Sequence, residues 1–408
     1  MRAVHADAIV TGDAGVIRDG VAIVGRRGEI VECGPGAEVL PRHAGLPVER
    51  VRGVVLPGLV NAHTHLELSS LRGQVPGGAG FVPWVEHLIG LRAEARPDEE
   101  PDAIERAVRE LDAFGTVAVG EVTNSLAAVP ALARLGLVGC VFHEVFGVEL
   151  DPLERRVAAL TTIVAERVGA WPTEDLAYAP TPHTLYTTHR EVVRRLVCNA
   201  RESGARASVH LAEHAAERRF LEAGDGPIVA WYEARLKLRR DLIEHVGKSP
   251  VDFADELGVL APHVLVVHLT DARPAELELV AGRGCPVVFC PRSNLHIETK
   301  LPPLHAALAA GITPALGTDS LASNTSLDVL SEARALADRF PGVPAVALLR
   351  MATWEGARAL GRSDVGRVVK GARPGLFAIE GDSGEDPCGF VLRSTRAPRR
   401  WVSRRGDT

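Results

Sequence analysis

From Thr116 to Ser320 the chain repeats one pattern. A short run of apolar, often β-branched residues ends in one or more polar residues, and a stretch with apolar positions at helical spacing follows. The runs Thr116–Val122, Val138–Glu144, Leu176–Pro180, Ala207–Leu211, Val264–His268, Pro286–Phe289 and Thr313–Leu316 read as strands. A strand ending at His63, fed by the apolar run Val54–Ala62, makes eight. Between them Ala103–Phe114, Glu191–Ser203 and Ala275–Gly282 read as amphipathic helices. Eight strand–helix alternations predict an α/β fold, a (β/α)8 TIM barrel. An open doubly wound sheet would gather its polar residues at one switch point, whereas here they stand on most strand ends.

The flanks break this pattern. Residues 1–53 place Ala8-Ile9-Val10, Val21–Val24 and Glu29–Glu32 between Gly and Asp turns, and residues 366–408 do the same with Leu376–Ile379 and Trp401-Val402. Neither flank is long enough to bury a core alone. The two are expected to join as a small β-sandwich domain, dividing the chain into 1–56, a barrel over 57–365, and 366–408. The longest insertion, Glu217–Pro262, is helical by pattern and carries Trp231-Tyr232 and the charged run Arg235–Arg240. That run reads as a solvated helix face, with a lid as the functional alternative.

Composition narrows the partners. The 408 residues are 46% hydrophobic and 24% charged, ordinary for a globular chain, and the net charge is −6. That balance gives no electrostatic reason to expect nucleic acid or an anionic membrane. No apolar stretch is long enough to span a bilayer, and no basic segment leads into an apolar one at the start, so no secretory signal is expected. Six cysteines without a CxxC pair read as reduced thiols of a cytoplasmic protein. The expected partner is a small-molecule substrate, with a homo-oligomer left open.

Within the strand ends, His63-Thr64-His65 puts two imidazoles on one side of a strand, where they can share a metal ion. A lone HxH is weak evidence; His210 alone would read as a core histidine, and Asp319 alone as a turn or helix cap. Together His63, His65, His210 and Asp319 form a shell of three histidines and one carboxylate. Such a shell suits one divalent first-row ion, zinc with iron as the alternative. Glu213, three residues after His210, and His268, at the end of its own strand, remain as neighbours able to move protons.

These residues, with Pro57–His65, Cys290-Pro291-Arg292-Ser293-Asn294 and Gly317–Ser320, resemble the metal-dependent amidohydrolase superfamily. The resemblance is strongest to its branch of purine and nucleoside deaminases and triazine chlorohydrolases. It implies a β-domain built from both termini and a hydrolytic deaminase. Many members bridge two metals with a carbamylated lysine on the fourth strand. This chain has no lysine before Lys237, so a mononuclear site is expected. The ion would lower the pKa of a water to give hydroxide, with Asp319 accepting the proton. Glu213 would protonate the ring nitrogen and then the leaving ammonia, and His268 would polarise the incoming oxygen.

Substrate contacts follow from the same resemblance. His183, in Pro180–Tyr186, resembles a substrate-binding histidine, though Leu185 stands where proline is usual, and a packed loop histidine is the alternative. After the first strand come Glu67, Arg72, a Gly-rich turn and Phe81–Trp84. This loop is similar to that of aminodeoxyfutalosine deaminase-like enzymes, which deaminate an adenine nucleoside on a menaquinone route. Glu67, Arg72, Trp84 and Asn294 are accordingly expected at the substrate, Trp84 either walling the ring pocket or packing the first helix. Methylthioadenosine/S-adenosylhomocysteine deaminases carry a ribose-binding Glu soon after that tryptophan, where this chain offers only Glu94. Guanine or pterin deamination, triazine dechlorination and amide hydrolysis use the same core. A non-catalytic scaffold has no need of Glu213.

Overall fold

Fourteen strands among the described residues fall into three sheets. The computed structural model describes the chain except for residues 14, 95–98, 236, 238–245 and 407–408. Most of the Arg235–Arg240 run therefore lies outside the described residues.

The first sheet takes strands from both ends of the chain. They are β1 (Arg2–Val10), β2 (Val16–Val24), β3 (Ile30–Pro35), β4 (Val48–Pro57) and, from the other end, β13 (Leu376–Glu380) and β14 (Arg399–Ser403). They form one six-stranded sheet in the order β14-β13-β4-β1-β2-β3, antiparallel except for the β1–β4 pair. Where a sandwich was expected, the described strands of both flanks share this single sheet. Two short helices, Gly36–Arg42 and Pro387–Arg393, have no counterpart in the sequence reading.

The apolar run 54–62 belongs to two sheets. β4 ends at Pro57, and β5 (Leu59–Thr64) begins after Gly58. A side chain at position 58 would lie 2.7 Å from Val117 and 2.8 Å from the Pro374 carbonyl, so the chain crosses between sheets where only glycine fits.

Two four-stranded parallel sheets follow: β5 with β6 (Thr116–Thr123), β7 (Val138–Val145) and β8 (Leu176–Pro182), then β9 (Ala207–Leu211) with β10 (Val264–His268), β11 (Val287–Phe289) and β12 (Ala315–Leu316). Seven of the eight are buried at every position and only β8 has an exposed one, Ala177, which is why their sequences read as nearly unbroken apolar runs. The anticipated strands and helices match these elements to within a few residues; Ala207–Leu211 and Val264–His268 agree at both ends. One buried cluster takes Val60, Val122, Phe142, Ala179, Val267, Val288 and Ala315 from both sheets, so the two share a core.

Hydrogen bonds link the sheets at each free edge. Between β8 and β9, Ser208 N donates to Thr181 Oγ1 at 2.8 Å and His210 N to the His183 carbonyl at 3.1 Å. Between β5 and the turn after β12, Asp319 N donates to the His63 carbonyl at 3.0 Å, and Thr64 Oγ1 donates to the Asp319 carbonyl at 3.0 Å. The fully buried Asn61 completes this seam, donating from Nδ2 to Thr318 Oγ1 at 2.7 Å and accepting from Thr318 N at 3.0 Å.

Asn61→Leu leaves the Thr318 amide without its partner inside the seam. An unsatisfied buried amide together with the lost pair should cost about 2–4 kcal/mol. Denaturant unfolding of wild type and variant measures this, and a loss below about 0.5 kcal/mol would show that the seam does not depend on Asn61.

Candidate active site

The C-terminal ends of the parallel strands carry the buried polar residues. β5 delivers His63 and, one residue past its end, His65; β9 delivers His210; β10 ends in His268; the turn after β12 holds Asp319. Four residues with positive φ lie at these ends: Ala212 at 49°, His268 at 79°, Leu269 at 50° and Asp319 at 56°. Non-glycine residues seldom adopt this conformation, and here it turns the chain just where side chains must leave the strand direction and face one another.

The convergence is close. His63 Nε2 and His65 Nε2 are 3.1 Å apart, and Asp319 Oδ1 lies 3.9 Å from the first and 3.6 Å from the second. His210 joins from the far side, its ring centre 4.9 Å from that of His63. His210 Nδ1 is 3.2 Å from the His183 carbonyl, to which it can only donate, so its Nε2 is left with a lone pair. Ligands on a tetrahedral ion at about 2.0–2.1 Å sit roughly 3.3 Å apart, the spacing this set brackets.

Electrostatics keep these groups in forms that can bind a cation. Burial, then the neighbouring imidazoles, hold the pKa values of His63 and His210 well below the usual histidine range, so both rings are neutral at pH 7. Burial would raise the Asp319 carboxyl, but His65, His63, His268 and the Ser293 hydroxyl outweigh it and keep it ionised. Ser293 Oγ donates to Asp319 Oδ2 at 2.5 Å and orients the carboxylate.

Beside this cluster, Glu213 Oε1 is 3.6 Å from His268 Nε2. Burial, then the charges of Asp319, Glu217 and Glu298, push Glu213 well above the carboxylate range. Asn294 Nδ2 lies 3.2 Å from His268 Nδ1; as a donor it makes Nδ1 the acceptor and leaves the proton on Nε2, facing Glu213.

A cavity of about 460 Å3 opens from these groups. Phe81, Trp84, Leu88, Phe146, Ile228 and Trp231 make most of its wall apolar. Arg92 is the one Lys or Arg among its described lining residues.

A family model described as the amidohydrolase family matches residues 54–398. The chain belongs to the amidohydrolase family. It is 31% identical to the aminodeoxyfutalosine deaminase of Deinococcus radiodurans, covering 88% of this chain and 86% of that protein. It is 30% identical to a 5-methylthioadenosine/S-adenosylhomocysteine deaminase of Nitratidesulfovibrio vulgaris, covering 88% of this chain and 77% of the relative. Its fold is that of Helicobacter pylori aminofutalosine deaminase in complex with methylthio-coformycin, with a TM-score of 0.89 at 22% identity over 100% of this chain and 99% of the other.

This amidohydrolase therefore presents a hydrolase's strand-end cluster at the foot of a largely apolar chamber. Of the residues expected at a substrate, His183, Glu67 and Trp84 line the cavity. Trp84 also packs with Leu68, Leu71 and Ile297. Glu67 is buried, and its Oε2 accepts from Thr123 Oγ1, Asn124 N and Ser125 N at 2.8–2.9 Å, while Oε1 faces Arg92 at 3.6 Å. Arg72 is not brought to the cavity; its guanidinium pairs with Glu110 and donates to the Thr325 carbonyl on the outside. Asn294 is also not a lining residue and sits buried behind His268. The helix Pro227–Arg235, within the insertion weighed as a lid, supplies Ile228, Trp231 and Tyr232 to the wall.

The sequence reading missed Glu144, Asn124, Phe146 and Tyr186, all of which line the cavity. Glu144 carried a signal: it ends an anticipated strand in a barrel-like pattern, where a carboxylate faces the chemistry. Burial, then the charges of Glu67 and Asp319, push it up to about 8. No described helix is long and apolar enough to cross a membrane.

Proposed function

We propose that this amidohydrolase is a mononuclear, zinc-dependent deaminase of an adenine nucleoside carrying a 5′ substituent, with aminodeoxyfutalosine as the substrate class. The observation that carries the reading is the convergence of His63 Nε2 and His65 Nε2, 3.1 Å apart, beside an ionised Asp319. Both rings are held in the neutral form, in which each can offer a nitrogen to a cation. His63, His65, His210 and Asp319 hold the ion in this reading, and nitrogen-rich donors favour zinc over magnesium or calcium. When bound, the ion lowers the pKa of water toward neutrality.

The chain's own residues supply the rest. Asp319 takes the proton from the attacking water. Glu213 gives a proton to the ring nitrogen next to the attacked carbon, then relays one to the departing amine. His268, protonated on Nε2 and held by Asn294, hydrogen-bonds the oxygen that adds to the ring. His183, with Nδ1 bonded to Thr187 Oγ1 at 2.8 Å, turns its remaining nitrogen to the purine, and Trp84 and Phe81 border the ring. The hydrogen bonds joining the two parallel sheets support a closed (β/α)8 barrel over 57–365. The six-stranded sheet from 1–56 and 366–408 is then its accessory domain.

The relatives' names favour a nucleoside, and the chamber agrees. Free guanine would leave most of the apolar wall unused, whereas a large 5′ substituent fills it. Remote binding energy of that kind can position the reacting carbon, so truncating the substrate should lower kcat as well as raise KM.

His210→Ala should lose most bound zinc, counted as one ion per chain in wild type by elemental analysis, and nearly all activity. Two stoichiometric metals in the wild type would overturn the mononuclear reading. Glu213→Gln keeps the shape but cannot carry the proton; it should retain zinc and lose about 10²–10⁴-fold in turnover. Near-normal turnover would move the proton work to another group. Ammonia release from aminodeoxyfutalosine, methylthioadenosine, S-adenosylhomocysteine, adenine, guanine and a chlorotriazine tests the substrate. The 5′-substituted nucleosides should exceed free adenine by orders of magnitude in kcat/KM, and guanine or the triazine being fastest would refute the nucleoside reading.

A further inference from the structure

The strongest unexplained group in the cavity wall is Glu144, at the end of β7. It is buried, lines the cavity, and its Oε1 has no hydrogen-bond partner. A buried carboxyl oxygen left unpaired is costly, so a native structure that keeps one at a binding cavity points to a ligand atom that pairs with it.

Its surroundings define which atom. Glu144 Oε1 is 3.4 Å from His210 Nδ1, but that nitrogen already lies 3.2 Å from the His183 carbonyl. Glu144, His183 and His210 each bring one ligating atom within 4.8 Å of the others, so Glu144 lies beside the expected purine contact and one imidazole away from the expected ion. In the nucleoside reading the purine sets its amino-bearing carbon at the ion and an edge against His183, and Glu144, beside His183, is the buried carboxyl left for the sugar.

The other carboxylates are committed. Glu67 spends Oε2 on three donors and turns Oε1 to Arg92. Glu213 and Asp319 stand at the chemistry. A hydroxyl suits Glu144 best, because it can donate to a carboxylate and accept from a carboxylic acid.

We propose that Glu144 is a specificity-determining residue that hydrogen-bonds the ribose hydroxyls of the substrate and so selects ribonucleosides over their deoxy forms. The inference rests on the nucleoside reading above and adds the group that reads the sugar.

The test compares 5′-methylthioadenosine with its 2′-deoxy and 3′-deoxy forms on zinc-loaded protein. Wild type should favour the ribonucleoside over at least one deoxy form by about 3- to 10-fold in kcat/KM, the usual effect of one hydrogen bond between uncharged groups. Most of the change should appear in KM. Glu144→Leu should keep its zinc and bring that ratio close to one, mainly by losing activity on the ribonucleoside. Glu144→Gln, which retains an acceptor and a donor, should keep zinc and an intermediate ratio.

A wild type indifferent to the hydroxyls overturns the proposal, as does a Leu variant that keeps the wild-type ratio. Should Leu alone cost the zinc, the Gln variant decides, and an unchanged ratio there overturns it. Zinc loss in both variants would make Glu144 a support of His210 and not a reader of sugar, which also overturns it. Ammonia from none of the nucleosides on wild type would instead bring down the nucleoside reading itself, an outcome distinct from ammonia released without sugar preference.

Discussion

Everything about the site depends on holding two imidazoles and a carboxylate at closer quarters than free side chains would keep. Two imidazole nitrogens stand 3.1 Å apart with a carboxylate oxygen 3.6 Å from one of them, in a largely buried cluster. Free side chains in water would spread apart. Here they do not, because β5 and the turn after β12 are locked by hydrogen bonds at the residues of the cluster itself: the His63 carbonyl takes the Asp319 amide, and the Asp319 carbonyl takes the Thr64 hydroxyl. The seam that joins the two parallel sheets and the clamp that presents His63 and Asp319 are one set of hydrogen bonds.

A second layer of contacts decides which atom of each group faces inward. The His183 carbonyl sets the His210 ring, Asn294 sets that of His268, and Ser293 sets the Asp319 carboxylate. None of the three supporting groups lies on the strand of the residue it orients. The site is therefore a property of neighbouring strand ends, and the positive φ at Ala212, His268, Leu269 and Asp319 is the local strain that the surrounding packing sustains.

The cavity is polarised from floor to rim. Ionised Asp319 and the proton-retaining Glu213 lie at the foot, and aromatic and aliphatic side chains from Phe81–Glu94 and Pro227–Arg235 make the wall. A nucleoside has matching ends, with a reactive amidine at one extremity and a variable substituent at the other. Excluding water from such a chamber strengthens every interaction at its foot, which gives the helices around the mouth a part in the chemistry without touching the reacting carbon.

Strand and helix periodicity, the strand-end positions of His63, His65, His210, His268 and Asp319, and the absence of lysine near the fourth parallel strand were all legible along the chain. Local patterning decides these, because burial on both faces imposes unbroken apolar runs and leaves polar residues conspicuous where the runs stop. Pairing was not legible. Apolar faces in the two flanks do not say which strands meet, so the single six-stranded sheet and the break at Gly58 emerged only from long-range packing. Nor could sequence show that Arg72 turns outward to Glu110 and Asn294 backs His268, while Glu144 faces the cavity with an unpaired oxygen. Side-chain direction at a strand end depends on the backbone turn and on neighbours from other elements of the chain, and those exist only once the chain has folded.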